Sequence, residues 1–99
     1  MPGRKAPLER TIVAKVMATA RAAGWWAMKT HGGGYGSVVG LPDVLCIKDG
    51  KAAWMEVKRP GEEPTRIQTH RHRELIGFGC PVAVVCSAGD AKEFLEAIS

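Results

Sequence analysis

The sequence predicts an α/β domain, a mixed β-sheet flanked by helices, with its elements in the order helix, three strands, helix, strand, helix. Three observations carry this. Apolar residues recur at helical spacing near both ends, as Leu8, Ile12 and Val16 and again as Phe94, Leu95 and Ile98. Two strand-like runs meet at Asp49-Gly50, the dipeptide best suited to a two-residue type I′ hairpin turn. A short apolar run, Pro81 to Ser87, lies between two helix-like segments, so strands and helices mix along the chain.

In chain order, the first helix is expected over about residues 7–23, with Met17 and Ala20 extending its apolar stripe and Gly24 as its stop signal. Trp25 to Thr30 reads as a strand, and the glycine-dense segment His31 to Ser37 as a mobile loop. Asp43 to Lys48 and Lys51 to Lys58 form the antiparallel hairpin. Pro60 and Pro64 bracket a loop, and Thr65 is a plausible N-cap for a helix through Ile67, Arg71 and Leu75 that stops at Gly77-Phe78-Gly79. Pro81 to Ser87 is the fourth strand, and Ala88 to Ser99 closes the fold as an amphipathic helix.

With 99 residues, 45% of them hydrophobic, the chain is expected to form one domain, residues 1–99, around one compact core. No apolar run approaches the roughly 20 residues of a membrane span, and Met1-Pro2-Gly3-Arg4-Lys5 lacks the apolar stretch of a signal peptide. A soluble, cytoplasmic protein without a membrane partner is the expectation. Cys46, Cys80 and Cys86 are an odd number without a CxxC pair, each in an apolar run, which points to buried free thiols. A formal charge of +4 favours an anionic partner such as nucleic acid.

The hairpin turn supplies a register. With Lys48 facing Lys51, counting outward along both strands places Asp43 across from Glu56. Opposed residues share a sheet face, and facing like charges destabilise a sheet unless something neutralises them. Lys58, two residues past Glu56, emerges on the same face. Glu-x-Lys alone is common on solvated strand faces. Here Glu56 sits within Ala52-Ala53-Trp54-Met55-Glu56-Val57, surroundings too apolar for an unpaired carboxylate. Two carboxylates and an ammonium suit phosphodiester hydrolysis. Oxygen ligands hold a hard cation, Mg²⁺ or Mn²⁺, which polarises the phosphate, while Lys58 orients the nucleophile or steadies developing charge.

Gly40-Leu41-Pro42-Asp43, twelve intervening residues, and Glu56-Val57-Lys58 together resemble the signature of the PD-(D/E)xK nuclease superfamily. The Gln68, apolar helix, glycine turn and Val82-Ala83-Val84-Val85 strand that follow are similar to its VRR-NUC family, and the resemblance covers roughly residues 9 to 98. It implies a restriction-endonuclease-like fold with Asp43 and Glu56 as metal ligands, Lys58 assisting catalysis and Gln68 completing the site. The first helix of such proteins often supplies a further glutamate, for which Glu9 is the matching candidate. An acid favoured by the helix dipole near its amino end explains Glu9 equally well. Stand-alone members resemble Holliday-junction resolving enzymes, which implies a homodimer acting on branched DNA.

Lys29, Arg59, Arg66, Arg71 and Arg73 are candidates for backbone phosphate contacts. His70 and His72 stand two apart on a predicted helix and so point different ways, which argues against a histidine metal cluster and leaves phosphate contact or solvation. Glycines 32, 33, 34 and 36 lack a following GK[ST] and suit a flexible loop over the substrate. Trp25, Trp26 and Trp54 are read as core or interface aromatics. The leading expectation is therefore a metal-dependent endonuclease of DNA. Its rivals are a non-catalytic nucleic-acid-binding module, a small interaction domain with a structural cation, and a restriction-like cutter of duplex.

Overall fold

The computed structural model describes residues 8–30 and 38–99. The glycine segment read as a loop over the substrate, residues 31–37, lies outside the described residues, as do residues 1–7. The observed order is α1 (Glu9–Ala22), β1 (Trp26–Lys29), β2 (Val44–Lys48), β3 (Lys51–Val57), α2 (Arg66–Gly77), β4 (Val82–Val85) and α3 (Ala88–Ile98). The strands form one sheet in the order β1-β2-β3-β4, antiparallel except for the parallel β3 and β4 pair. The mixed sheet and the element sequence are those expected, with each element trimmed by a residue or two at its ends.

The β2 and β3 hairpin turns at Asp49 and Gly50, both with positive φ (52° and 77°), as a type I′ turn requires. The ladder then runs from Lys48↔Lys51 to Val44↔Met55, the register counted from the turn. Because side chains alternate along a strand, this register sorts the sheet into two faces. Val44, Cys46, Ala53, Met55, Val57 and Val85 point to one side, where they meet Ile12, Val13, Val16 and Ala20 of α1 and Ala91 and Leu95 of α3 in the hydrophobic core. Leu45, Ile47, Ala52, Trp54 and Glu56 point to the other.

The helix α2 lies over that second face and is built differently. Its only buried residue is His72. Ile67, Ile76 and Phe78 are exposed, and neither they nor Leu75 enter the core. Hydrophobic burial therefore contributes little to holding α2 in place, and polar contacts described below take over that role. Among the described residues no helix is long and apolar enough to cross a membrane.

The three cysteines are free as expected, though only Cys46 is buried, while Cys80 and Cys86 are partly exposed. The tryptophans divide as well. Trp25 is in the core, Trp54 is half-buried, and Trp26 is 55% exposed on the second sheet face.

Candidate active site

Glu56 stands at the centre of the second face, near the carboxyl end of β3. It is fully buried, although its neighbours Met55 and Val57 turn into the core on the opposite side. One residue beyond the last β2 and β3 pair, Asp43 leaves the ladder and is 7% exposed. Its Oδ2 accepts a 2.7 Å hydrogen bond from Val57 N–H, and its backbone carbonyl accepts from Thr30 N–H at 2.9 Å. The Asp43 side chain is thus clasped to the strand that carries Glu56, and the two carboxyl groups adjoin each other.

Three further side chains converge on Glu56. Gln68 donates from Nε2 to Oε2 at 3.2 Å, His72 Nε2 lies 3.0 Å from Oε1, and Lys58 Nζ lies 3.9 Å from Oε2. Burial, and then the adjoining Asp43, push the Glu56 carboxyl up from 4.5 to about 8, with Lys58 pulling it down and Glu9 adding a last, small push upward. Burial and the Lys58 cation hold the imidazole of His72 below the usual histidine range, against the opposing pull of Asp43. Both effects favour a neutral imidazole that hydrogen-bonds Glu56 over half of an ion pair.

The orientation of Gln68 is set by the start of α2. Thr65 caps the helix, its hydroxyl accepting from Gln68 N–H at 3.3 Å while Gln68 Oε1 accepts from Thr65 N–H at 2.8 Å, a reciprocal capping box. With Oε1 engaged at the cap, the amide nitrogen must face Glu56. Thr65→Ala removes the hydroxyl acceptor and is expected to cost about 1 kcal/mol of stability. Urea denaturation monitored by circular dichroism checks it: a lower midpoint with unchanged slope is the expected result.

Asp43, Glu56, Lys58 and Gln68 thus lie together around one buried carboxyl group. Sequence reasoning missed His72. The available signal was its spacing from Gln68: four residues apart on a helix, the two side chains share a face. Comparing His72 with His70 instead obscured this.

Glu9 sits in the first turn of α1, where a carboxylate complements the helix dipole. It does not close a cage with the other acids: among the described residues no three His, Cys, Asp or Glu side chains converge as an ion site. Two carboxylates nonetheless suit a hard cation such as Mg²⁺, which keeps most of its water and needs only one or two protein carboxylates. The donor set itself favours such an ion, since two buried, adjoining carboxyl groups cannot both ionise cheaply without a positive charge between them.

The five cationic candidates fare differently. Arg66 and Arg73 are exposed on α2. Arg59 follows Lys58 directly, and its Nε is buried without a hydrogen-bond partner among the described residues. Lys29 is exposed at the site end of β1, but pairs with Val44 and so lies on the α1 face of the sheet, not the face of Glu56. Arg71 is engaged within the protein. Its Nε donates to the Val39 carbonyl at 2.9 Å and its Nη1 to Glu74 Oε1 at 2.6 Å, which fastens α2 to the segment preceding Asp43.

Comparisons with known proteins agree with this architecture. The chain superposes on a solved structure described as "VRR_NUC domain" with a TM-score of 0.77, covering 92% of this chain and 97% of that one at 24% sequence identity. The chain therefore has the fold of a VRR_NUC domain, and the resemblance seen in the sequence holds at the level of the fold. It is also 34% identical over 61 residues to "Putative nuclease p44" of Acyrthosiphon pisum secondary endosymbiont phage 1, a match spanning 61% of this chain and 64% of that protein. The match thus covers less than two thirds of the phage protein's length. No family model matches the chain.

Proposed function

We propose that this chain is a nuclease of the VRR-NUC type, a Mg²⁺- or Mn²⁺-dependent endonuclease that hydrolyses phosphodiester bonds in DNA and prefers branched substrates. The observation that carries the reading is Glu56: fully buried, beside Asp43, and met on its two oxygens by Gln68, His72 and Lys58. A purely structural carboxylate has no need of a second acid beside it, whereas a cation site does. The nuclease name of the phage relative and the VRR_NUC fold support the same class.

In this reading Asp43 and Glu56 hold the cation, and Val57 N–H keeps the Asp43 carboxylate turned toward its neighbour. A divalent cation held there would polarise the phosphate and lower the pKa of water. Lys58 contributes a fixed positive charge beside Glu56 for the charge that develops on the phosphate oxygens. In this reading Arg59, Arg66 and Arg73 contact the DNA backbone, and the chain's charge of +4 draws the polyanion in. The homodimer reading is supported by the exposed apolar pair Trp26 and Ile47, cross-strand neighbours on the second face of the sheet, a surface that an isolated subunit leaves to solvent. A two-fold assembly would present two such sites to opposed strands.

Cleavage of a labelled four-way junction, a duplex and a single strand in Mg²⁺, Mn²⁺ or EDTA tests this. Metal-dependent cutting, strongest on the junction, is expected. Lys58→Ala is expected to lower the rate by roughly 10²- to 10³-fold, the loss typical when one transition-state donor is removed, while junction binding persists. Equal cutting of junction and duplex would favour the restriction-like alternative. Binding without cutting in any metal would make the chain a non-catalytic DNA-binding module.

A further inference from the structure

The burial pattern of α2 inverts the usual preference. Ile67 is 43% exposed and Ile76 is 55% exposed, while the one side chain the helix takes into the protein is an imidazole, 8% exposed. A buried polar group is tolerated where it is hydrogen-bonded, and the partner here is Glu56 Oε1 at 3.0 Å. One turn earlier on the same helix face, Gln68 Nε2 reaches the other oxygen, Oε2, at 3.2 Å. The carboxylate is thus gripped at both oxygens by one helix, from the side away from β3.

We propose that His72 is a positioning residue for Glu56, holding its carboxylate in the single orientation that presents it, together with Asp43, to a divalent cation. The inference rests on the metal-nuclease reading above and deepens it. An ionised carboxylate only accepts hydrogen bonds, so the imidazole that orients it must carry its proton on Nε2. Gln68 and His72 act as a pair. Gln68 meets Oε2 and His72 meets Oε1, so the helix engages both oxygens and fixes the plane of the carboxylate. Partners of this kind, standing behind a ligand rather than touching the ion, commonly change metal affinity 10- to 100-fold when lost.

Binding of Mn²⁺ to the full chain without nucleic acid, followed by the electron paramagnetic resonance signal of free Mn²⁺, separates this from a merely structural role. Glutamine places an amide nitrogen as many bonds from Cβ as Nε2 of histidine, whereas asparagine is one bond short and leucine offers no donor. His72→Asn and His72→Leu are expected to weaken Mn²⁺ binding by about 10-fold or more, and His72→Gln to restore it to within about threefold of the wild type. In the wild-type protein saturated with Mg²⁺, long-range ¹H–¹⁵N spectra are expected to show His72 as the Nε2–H tautomer, a readout that depends on no variant folding. Wild-type affinity in His72→Leu, or a bare Nε2 in the Mg²⁺-bound protein, overturns the inference. If Glu56→Gln loses Mn²⁺ while His72→Leu keeps it, only the positioning role fails. If the wild type itself takes up no Mn²⁺, the metal-nuclease reading fails with it.

Discussion

Glu56→Gln is expected to abolish cleavage and, in the absence of divalent cation, to make the protein more stable at alkaline pH. Cleavage falls by roughly 10³-fold or more, because a neutral amide is a poor ligand for a hard cation and several kcal/mol of transition-state stabilisation go with it. The stability change follows from the raised carboxyl of Glu56. The folded protein holds this proton more tightly than the unfolded chain does. The resulting stabilisation is complete below about pH 4.5 and is lost progressively as the pH rises through about 8. Above pH 8 the wild type buries an ionised glutamate against Asp43, and glutamine keeps its shape without that charge. Thermal melts in EDTA from pH 5 to 9 are therefore expected to separate the two proteins increasingly with pH, by a few kcal/mol at the alkaline end. A divalent cation is expected to stabilise the wild type at pH 8 to 9 and to leave the variant unchanged. Parallel melting curves across the pH range would remove the electrostatic account of the site.

The second large effect is expected at Gly40, in the segment leading into Pro42 and Asp43. Its φ is +82°, a region costly for residues with a side chain, and a Cβ built there meets the Ile67 carbonyl oxygen at 2.7 Å. That oxygen belongs to the backbone of α2, so relief requires the helix and the segment to part. Gly40→Ala combines both penalties and is expected to cost on the order of 2–4 kcal/mol, a fall of roughly 10–20 °C in melting temperature for a domain of this size. Cleavage is expected to drop further than stability alone dictates, since separating α2 from this segment draws Gln68 and His72 away from Glu56. Gly79→Ala is the control. Its φ is +92°, yet nothing lies within 4 Å of the added carbon, so about 1 kcal/mol and retained cleavage are expected. Similar losses in both variants would show that the close approach to Ile67 is not what matters at Gly40.

Much of this was legible in the chain because a short-range signal determined a long-range pairing. Asp49-Gly50 admits essentially one tight hairpin, and from it the count outward leads to Asp43 beside Glu56. The apolar context of Glu56 then marked it as a carboxylate in need of partners, which is where the structure places it. The capping residue Thr65 was equally visible, since N-cap preference is local.

What stayed hidden depends on how α2 docks. Its sequence predicted a helix through Ile67, Arg71 and Leu75 but not how it docks, and the helix is held by Arg71 on Val39, by the close approach of Gly40, and by Gln68 and His72 on Glu56. Apart from the four-residue spacing of Gln68 and His72, these contacts have no periodicity to read. Arg71 looked like a phosphate ligand because an arginine engaged by a carbonyl thirty-two residues away is indistinguishable in sequence from one facing solvent. The exposure of Trp26 is concealed for a related reason: a residue type usually buried says nothing of which sheet face is left uncovered.

The shared use of Gln68 has one more consequence. Its carboxamide is at once part of the capping box that starts α2 and a donor to Glu56, so fraying of a single helical turn dismantles both. Helix ends open locally far more often than whole domains unfold, and His72 is the one buried side chain of α2. The site is therefore expected to lose its arrangement at a lower temperature than the core beneath the sheet. Warming should silence the protein while α1, α3 and the sheet remain folded, and cooling should return the activity without any refolding of the chain.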